Sequence, residues 1–468
     1  MEIVHISAEC YPVAKVGGLA DVVGALPMYQ NAIGCQSFVV MPFYDILFTQ
    51  KNTFKKVYHS AIKFGKETID FNVLTLKENS LDFDIFYIDI PGLLDKNYVY
   101  SENDTDRFLA FQIAALDWIL QRENTPKVIH CHDHHTGLIP FMLSQSYEYK
   151  SLRNIPTVLT IHNAQYQGWF SHEKVDLIPE FDFSNVGLLD WNQTINPLAA
   201  GIKCAWKVTT VSPSYMNELK LNANGLESLI QAESSKCVGI LNGIDSEVWN
   251  PEKDTFIDQN FSTETIQEGK KVNKDWLCDA FNLDPNRPLI VFIGRLVGEK
   301  GADLFPEAFD LALKNSDISL LVLGSGMSDV EKELELLKVP FKGVYNAFIG
   351  YDESLSHKMY AGADFLLMPS RVEPCGLNQM YSLRYGTVPV TSKVGGLKDT
   401  VIDINEGGFG ICHNEITSEE IANAIQRAAV FYKNTQEFET NRRRIMNIDH
   451  SWDASAEEYL NLYKSLKE

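Results

Sequence analysis

The sequence predicts an α/β protein made of two domains, each with a doubly wound parallel sheet. A chain of 468 residues is too long for one hydrophobic core and suits two large domains. Short apolar runs alternate with helical patterns along the chain, which is the order that parallel sheets covered on both faces produce. A polar, acid-rich segment at 250–274 interrupts this alternation and is expected to lead out of the first domain.

The first domain is expected to begin with a strand over 3–8, followed by a loop that contains Lys15, Gly17 and Gly18. Apolar residues then recur at the spacing of an amphipathic helix, at Leu19, Val22, Val23 and Leu26. A glycine pair that opens a helix leaves backbone N–H groups free to bind an anion. A lone pair usually marks only a tight turn, but the lysine and the strand before it favour a phosphate or sugar site.

Further strands of this domain are predicted from apolar runs at 38–41, 85–90, 128–132, 157–161, 208–211 and 238–241. A helical pattern between them covers 107–120. His162 and Asn163 follow one of these strands directly. An isolated histidine is usually a satisfied core residue, but the carboxyl end of a parallel strand is where ligands bind.

The strand at 128–132 runs into the histidine-rich segment HCHDHH, 130–135. The ligand types suit zinc, but the segment lacks the paired spacings of structural zinc sites. Alternate residues of a strand point to opposite faces, so all of these side chains are not expected to reach one ion. We therefore predict no metal.

Strands of the second domain are predicted at 289–293, 319–323, 344–349, 365–368 and 387–391. Arg295 and Lys300 lie in the loop between the first of these strands and a helix. Two cations at a helix start oppose the helix dipole and cost stability unless an anion is present. A diphosphate would supply it, because Arg grips two oxygens and Lys acts as a point charge.

The segment 364–400 is predicted to form a strand, a loop, a helix, a strand and a second loop. The loops at 373–377 and 393–397 both follow the carboxyl ends of parallel strands, so both are expected to border a ligand crevice. Glu373 lies in the first loop. Its ordinary explanation is an acid near the positive end of a helix dipole.

Composition excludes some classes of function. The formal net charge of −21 disfavours nucleic acid and anionic membranes, which bind basic surfaces. The eight cysteines are scattered with no C-x-x-C pair and are expected to be reduced. We recognise no signal peptide and no membrane-spanning run, so the expected location is the cytoplasm.

Three segments resemble the signature set of bacterial glycogen synthases and plant starch synthases. They are KVGGLAD at 15–21, GRLVGEKG at 294–301 and EPCGL at 373–377. The resemblance runs from Ile3 to Trp452 and beyond, with the motifs in the family's order and spacing. It implies the GT-B architecture, in which two Rossmann-like domains face an interdomain cleft.

In that architecture, 1–250 would be the acceptor-side domain and 251–448 the nucleotide-sugar domain. A terminal helix, 449–468, would pack back on the first domain. The implied reaction transfers glucose from ADP-glucose to the non-reducing end of an α-1,4-glucan, with retention of configuration. The implied partners are the nucleotide sugar and the glucan, with no cofactor and no essential metal.

The resemblance also implies roles for individual residues. The catalytic set is Glu373, His162, Arg295 and Lys300. Residues expected to bind the donor are Lys15, Gly17, Gly18, Asp21, Tyr351, Cys375, Gly376 and Leu377. Residues expected near the sugar or acceptor are Asp133, Asn163 and Asn242. Tyr351 would stack on the nucleotide base, although ordinary packing at a sheet edge is an equal alternative.

The sequence departs from the family pattern at two positions. His134 stands where many relatives carry Trp, and Asn378 where Thr is common. Tyr381 stands eight residues after Glu373, where many other retaining transferases carry a second Glu, and this agrees with glycogen synthases. No carboxylate nucleophile is evident, so we expect same-face attack without a covalent intermediate.

Two other functions remain open from sequence. One is a GT-B transferase that uses UDP-glucose or a small sugar acceptor. The other is a non-catalytic glucan-binding protein, which the intact set of cations disfavours.

Overall fold

The computed structural model describes residues 1–466, so 467 and 468 of the predicted terminal helix lie outside the described residues. The chain divides into two compact units. The first unit is Met1–Leu241 with the segment from Trp452 onward, and the second is Asn242–Ser451.

This boundary falls earlier than the predicted one at 250, because the residues after Leu241 are bound by the second unit. The backbone N–H of Ile244 donates to the carbonyl of His450 (2.8 Å). The ring of Trp249 stacks on that of Tyr381, with centroids 3.8 Å apart.

The first unit contains eleven strands. They are β1 (Glu2–Ile6), β2 (Gln36–Pro42), β3 (Phe54–Phe64), β4 (Glu67–Leu76), β5 (Asp84–Asp89), β6 (Val128–His132), β7 (Thr157–Ile161), β8 (Asp190–Trp191), β9 (Thr194–Ile195), β10 (Lys207–Thr210) and β11 (Cys237–Gly239). Strands β8 and β9 pair with each other, and the rest form one sheet in the order β11-β10-β7-β6-β1-β2-β5-β4-β3.

This sheet is parallel except at one edge, where two strands lie that the apolar pattern did not predict. Strands β3 and β4 form a hairpin whose second strand runs antiparallel to β5. The hairpin was missed because its strands alternate polar and apolar residues and contain no continuous apolar run. Alternation of this kind is typical of a sheet with one solvated face.

The second unit contains six strands. They are β12 (Leu289–Ile293), β13 (Ser319–Gly324), β14 (Tyr345–Ile349), β15 (Phe365–Met368), β16 (Val388–Ser392) and β17 (Ile411–His413). All pairings are parallel, in the order β14-β13-β12-β15-β16-β17.

Sixteen α-helices lie in residues 1–466. They are α1 (Gly18–Ala32), α2 (Leu47–Lys51), α3 (Thr105–Gln121), α4 (Ile139–Gln145), α5 (Pro197–Cys204), α6 (Pro213–Leu219), α7 (Glu227–Ala232), α8 (Ile266–Phe281), α9 (Phe305–Asn315), α10 (Ser328–Leu337), α11 (Glu353–Gly362), α12 (Asn378–Arg384), α13 (Gly395–Thr400), α14 (Ser418–Lys433), α15 (Thr435–Met446) and α16 (Trp452–Ser465). A search of this described part finds no helix long and apolar enough to cross a membrane.

Helix α16 is part of the hydrophobic core of the first unit. Its buried residues recur at helical spacing, at Trp452, Ala456, Tyr459 and Tyr463. They pack in one cluster with Val22 and Leu26 of α1 and Ile3 of β1. The chain therefore returns to its first unit at the end.

Each sheet has a topological switch point, where successive strands begin to add on the other side of a central strand. In the first unit the two strands at this point are β1 and β6, and in the second they are β12 and β15. Ligands of open α/β sheets bind outside the carboxyl ends of the strands at such points. The loops that follow these four strands are therefore expected to contain the ligand site.

Candidate functional site

An ion pair lies at the switch point of the second unit. Lys300 follows β12 and Glu373 follows β15, and Lys300 Nζ is 2.6 Å from Glu373 Oε2. The hydroxyl of Ser370 donates to the same oxygen (2.8 Å). The Glu373 side chain is only 8% exposed and that of Lys300 is 23% exposed. Within residues 1–466 the other oxygen, Oε1, has no hydrogen-bond partner, which leaves it available as an acceptor.

Close backbone contacts hold Glu373 in place. The N–H of Gly396 donates to the carbonyl of Glu373 (3.0 Å). A Cβ on Gly395 would lie 2.0 Å from that carbonyl oxygen, and a Cβ on Gly396 would lie 2.0 Å from the carbonyl oxygen of Cys375. Any side chain at either glycine would separate the loops at 373–377 and 393–397, so these two predicted crevice loops are in direct contact.

The second predicted cation, Arg295, is in a different environment. Its side chain is 72% exposed, and its guanidinium lies 3.6 Å from Glu299. Arg295 is held less tightly than Lys300 and can turn toward an anionic ligand. The anion that we expected beside Lys300 is, in this structure, the carboxylate of Glu373.

The remaining predicted residues of this unit are found in three places. Tyr351 follows β14 and is 86% exposed. Cys375 is buried, and burial raises the pKa of its thiol to about 12, which disfavours a nucleophilic role. Gly376 (φ 73°) and Leu377 lead directly into α12. Asn242 is also buried, and its Oδ1 has no hydrogen-bond partner within residues 1–466.

The loop after β1 is organised by an acid that sequence reasoning missed. Glu9 Oε2 accepts hydrogen bonds from the backbone N–H groups of Val16 (2.6 Å) and Gly17 (3.0 Å), and Tyr100 donates to its other oxygen. The expectation that the glycine pair leaves these N–H groups free is therefore wrong for Gly17. Burial raises the pKa of Glu9 above its ordinary value. The available signal was an acid directly after a buried strand.

Gly18 is the first residue of α1, next to an ion pair at the surface. Lys15 Nζ lies 2.7 Å from Asp21 Oδ1, and both side chains are partly exposed. Like Lys300, this predicted donor-binding lysine has an internal carboxylate as its partner. A phosphate would have to replace that partner in order to bind.

Asp133 follows β6 in a strained conformation. Its φ of 56° and ψ of −173° fall in a region that essentially only glycine occupies. Its Oδ1 accepts the backbone N–H of His162 (2.7 Å). Burial raises the pKa of the carboxyl to about 7, against the backbone N–H groups of His162 and Asn163, which lower it. Strain and a shifted pKa at a strand end are typical of a functional residue.

His162 follows β7, beside Asp133. Its Nε2 lies 3.0 Å from Nδ1 of His132. Burial lowers the pKa of His162 to about 3, so its ring is neutral. Asn163 closes the next turn, with its Oδ1 accepting from the backbone N–H of Gln165 (2.9 Å). The carboxyl ends of β6 and β7 thus present a buried acid and a neutral imidazole side by side.

Part of the histidine-rich segment converges, as the alternation of side chains along a strand allows. Ring nitrogens of His5, His130 and His132 lie within 4.8 Å of one another, because residues two apart share a face and β1 is the neighbour of β6. Their ring nitrogens are all hydrogen-bonded to protein groups, so the cluster is satisfied without an ion. His134, the departure from the family pattern, packs on Gly168, where a Cβ would lie 2.3 Å from its ring.

Comparisons with known proteins find relatives along the whole chain. A family model described as starch synthase catalytic domain matches residues 2–232, and one described as glycosyl transferases group 1 matches residues 277–444. A glycogen synthase of Flavobacterium johnsoniae is 52% identical over 466 residues, covering 99% of this chain and 98% of that protein. One of Thermodesulfovibrio yellowstonii is 36% identical over 492 residues, covering 100% and 98%.

Two solved structures resemble the chain along its whole length. The catalytic domain of starch synthase IV from Arabidopsis thaliana, bound to ADP and acarbose, has a TM-score of 0.88 and 31% identity, covering 100% of this chain and 99% of that one. A sucrose-phosphate synthase from Thermosynechococcus elongatus has a TM-score of 0.65 and 19% identity over 100% and 99%. At that identity the second likeness concerns the fold alone.

Proposed function

The chain belongs to the family of glycogen and starch synthases, and we propose that it extends α-1,4-glucans with glucose from ADP-glucose. It is a retaining hexosyltransferase of the GT-B fold class. Glucose would be added to the 4-hydroxyl at the non-reducing end of the glucan. The observation that carries this proposal is the ion pair of Lys300 and Glu373 at the switch point of the second unit.

Lys300 and Arg295 are proposed to bind the departing diphosphate. Negative charge grows on those oxygens as the glucosyl bond breaks, and cations already in place stabilise that charge most effectively. Lys300 would exchange Glu373 for a phosphate oxygen. Glu373 would then accept hydrogen bonds from the hydroxyls of the donor's glucose, starting with its available Oε1.

The first unit supplies hydrogen-bond acceptors that suit sugar hydroxyls. Asp133 and His162 are proposed to accept hydrogen bonds from hydroxyls of the glucose or acceptor, and Asn163 lies beside them. In the loop after β1, Lys15 is proposed to exchange Asp21 for a phosphate oxygen, next to Gly17 and Gly18. Asn242, in the second unit, offers an unpartnered acceptor to a ligand donor.

The reaction is proposed to proceed by same-face attack, with a leaving phosphate oxygen taking the proton of the acceptor hydroxyl. Glu373 is paired with Lys300, and Asp133 accepts backbone N–H groups, so neither carboxylate is presented as a nucleophile. No metal or other cofactor is proposed, because Lys300 and Arg295 supply the positive charge. Trapping of a covalent glucosyl-enzyme would contradict this mechanism.

ADP-glucose is proposed as the donor because the starch synthase IV catalytic domain, at 31% identity, has ADP bound. The exposed ring of Tyr351 would stack on the base. The proposed location is the cytoplasm, where the eight free cysteines would stay reduced.

The test is glucose incorporation into glycogen from ADP-glucose and from UDP-glucose in parallel, with Lys300→Ala as the control. We expect incorporation from ADP-glucose that disappears in the control. Incorporation from UDP-glucose alone would contradict the proposed donor. No polymer from either donor, with folded protein, would contradict the proposed acceptor and direct the search to small sugars. Glucan affinity without turnover would indicate a non-catalytic glucan-binding protein.

A further inference from the structure

A buried chain of hydrogen bonds runs from helix α1 to His162. Gln30 of α1 bonds to His5 of β1, with Oε1 2.9 Å from Nε2. The other nitrogen of His5, Nδ1, lies 3.1 Å from Nε2 of His132 at the end of β6. His132 Nδ1 in turn lies 3.0 Å from Nε2 of His162. Each link joins neighbouring elements within the first unit.

The orientation of Gln30 decides which atom is the donor in each hydrogen bond of the chain. Its amide nitrogen donates to the hydroxyl of Tyr463 (3.3 Å), and its carbonyl oxygen accepts from Ser37 (2.6 Å) and faces His5. A carbonyl oxygen only accepts, so His5 carries its proton on Nε2. A neutral imidazole has one donor and one acceptor, so His5 Nδ1 accepts from His132. By the same rule, His132 Nδ1 accepts from His162.

The rule applies because the three rings are neutral. Burial lowers the pKa of His5 to about 4 and that of His162 to about 3, and it holds that of His132 well below the ordinary range. His162 then carries its proton on Nε2 and a lone pair on Nδ1. Within residues 1–466 no hydrogen bond is recorded for this Nδ1, and 9% of the residue is exposed.

We propose that Gln30, acting through His5 and His132, is a positioning residue that fixes His162 in the tautomer with an unprotonated Nδ1. In that tautomer Nδ1 accepts the hydroxyl hydrogen of a bound sugar. This inference rests on the proposed function for its ligand. The gain is pre-organisation, because the acceptor needs no proton shift when the sugar arrives.

A second branch of the same network provides a matched control. The hydroxyl of Tyr463 lies 2.6 Å from Nδ1 of His130, and Nε2 of His130 lies 2.6 Å from the hydroxyl of Thr160. His130 is buried, lies on β6 and has both ring nitrogens bonded, as His132 does. It does not lie on the path from Gln30 to His162.

The experiment compares His132→Phe with His130→Phe in the full chain labelled with ¹⁵N-histidine. Ring ¹⁵N resonances distinguish protonated from unprotonated nitrogens. In the wild type we expect His162 with Nε2 protonated and Nδ1 unprotonated. In His132→Phe we expect the Nδ1 resonance to move toward the protonated value and kcat to fall about tenfold, the equivalent of one hydrogen bond. In His130→Phe we expect the wild-type resonance and kcat within about twofold.

Substitutions of Gln30 test the same idea from the far end, and they decide it if the Phe variants fail to fold. In Gln30→Glu both carboxylate oxygens accept, so His5 keeps its proton on Nε2 and His162 keeps its tautomer. In Gln30→Met no acceptor remains, and we expect the His162 resonances to move as in His132→Phe.

A protonated Nδ1 in the wild type would overturn the proposal. So would unchanged His162 resonances in Gln30→Met, or equal shifts in Gln30→Met and Gln30→Glu. The resonances are read without substrate. A protein that makes no polymer but shows the expected shifts would therefore contradict the proposed function and leave the positioning role standing.

Discussion

The two switch points have the same position in their sheets but differ in their electrostatics. In the second unit, Lys300 and Glu373 form a charged pair, and Arg295 adds an exposed cation. In the first unit the loop after β1 contains the ion pair of Lys15 and Asp21. The ends of β6 and β7 present Asp133, whose pKa burial raises to about 7, and His162, whose ring is neutral because burial lowers its pKa to about 3.

One fold can therefore present two kinds of binding site. A diphosphate demands cations, which stay charged only when they have a partner or contact with water. Sugar hydroxyls need hydrogen-bond donors and acceptors in fixed directions, which neutral groups can also supply. The same contrast extends into the cores, where the first unit buries linked histidines and the second buries an ion-paired aspartate, Asp364.

The largest effect is expected from removing the cation of the second switch point. In Lys300→Ala we expect kcat to fall between about a hundredfold and a thousandfold, because a charge that meets the leaving diphosphate is lost. Steady-state kinetics with ADP-glucose and glycogen would measure it. The control is Lys314→Ala, which removes an exposed lysine paired with Asp310 in the same unit and should change kcat by less than about twofold. Similar losses in both variants would contradict a specific role for Lys300.

The second largest effect is expected from Asp133→Asn, which should stabilise the first unit. Asp133 has a folded pKa of about 7, above its unfolded value, so its ionisation costs stability as pH rises from about 4 to 7. Asp133→Asn removes that cost and should raise the local free energy of opening by at most about 4 kcal/mol at pH 8 and by little at pH 4. Hydrogen exchange of the β6 amides would measure it. A gain independent of pH would contradict the raised pKa.

In the second unit, replacing Asp364 with Asn should lower stability, the opposite of the effect expected at Asp133. Burial alone would raise the pKa of Asp364, but Lys274 and Arg442 hold it below its ordinary value. Its contribution to stability is therefore present above the unfolded pKa and lost as pH falls through the folded pKa. Asp364→Asn breaks a buried ion pair and should cost about 3 kcal/mol at pH 7.

Hydrogen exchange of the β15 amides would measure this loss, and the deficit should shrink at acidic pH. A stabilised Asp364→Asn at pH 7 would remove the contrast between the two units. So would a deficit that stays constant as the solution is acidified.

The sheets were predictable because many of their parallel strands are continuous apolar runs, as in β12, β13 and β15. Helix α8 was not predictable from the sequence, because the face that it buries contains polar residues. Lys270, for example, is buried with its ammonium bonded to three backbone carbonyls and to the hydroxyl of Thr387. A pattern of apolar spacing does not reveal such a stripe, and the segment at 250–274 therefore looked like a linker.

The site was predictable at the level of motifs but not of contacts. The loops that contain Lys300 and Glu373 follow strands that meet at a switch point, so their proximity follows from topology. Their direct pairing does not, because it depends on loop backbone that only the structure provides. Glu9 bonds to the backbone of Val16 and Gly17, and Gln30 bonds to His5. No rule of sequence spacing connects Glu9 to Gly17 or Gln30 to His162.

The smallest effect should come from a surface ion pair that joins the two loops of the second switch point. Both terminal nitrogens of Arg371 donate to the carboxylate of Asp303 (2.5 and 2.8 Å). The backbone N–H of Arg371 donates to the backbone carbonyl of Glu299 (2.8 Å). Because both side chains of the pair are over a third exposed, Asp303→Asn should cost less than about 1 kcal/mol of stability and change kcat by less than about twofold. Urea denaturation at low and high NaCl would show a deficit that shrinks with salt. A tenfold loss of kcat would instead mean that the exposed pair fixes the position of Glu373. The charged groups that support the reaction would then include Arg371 and Asp303 at the surface.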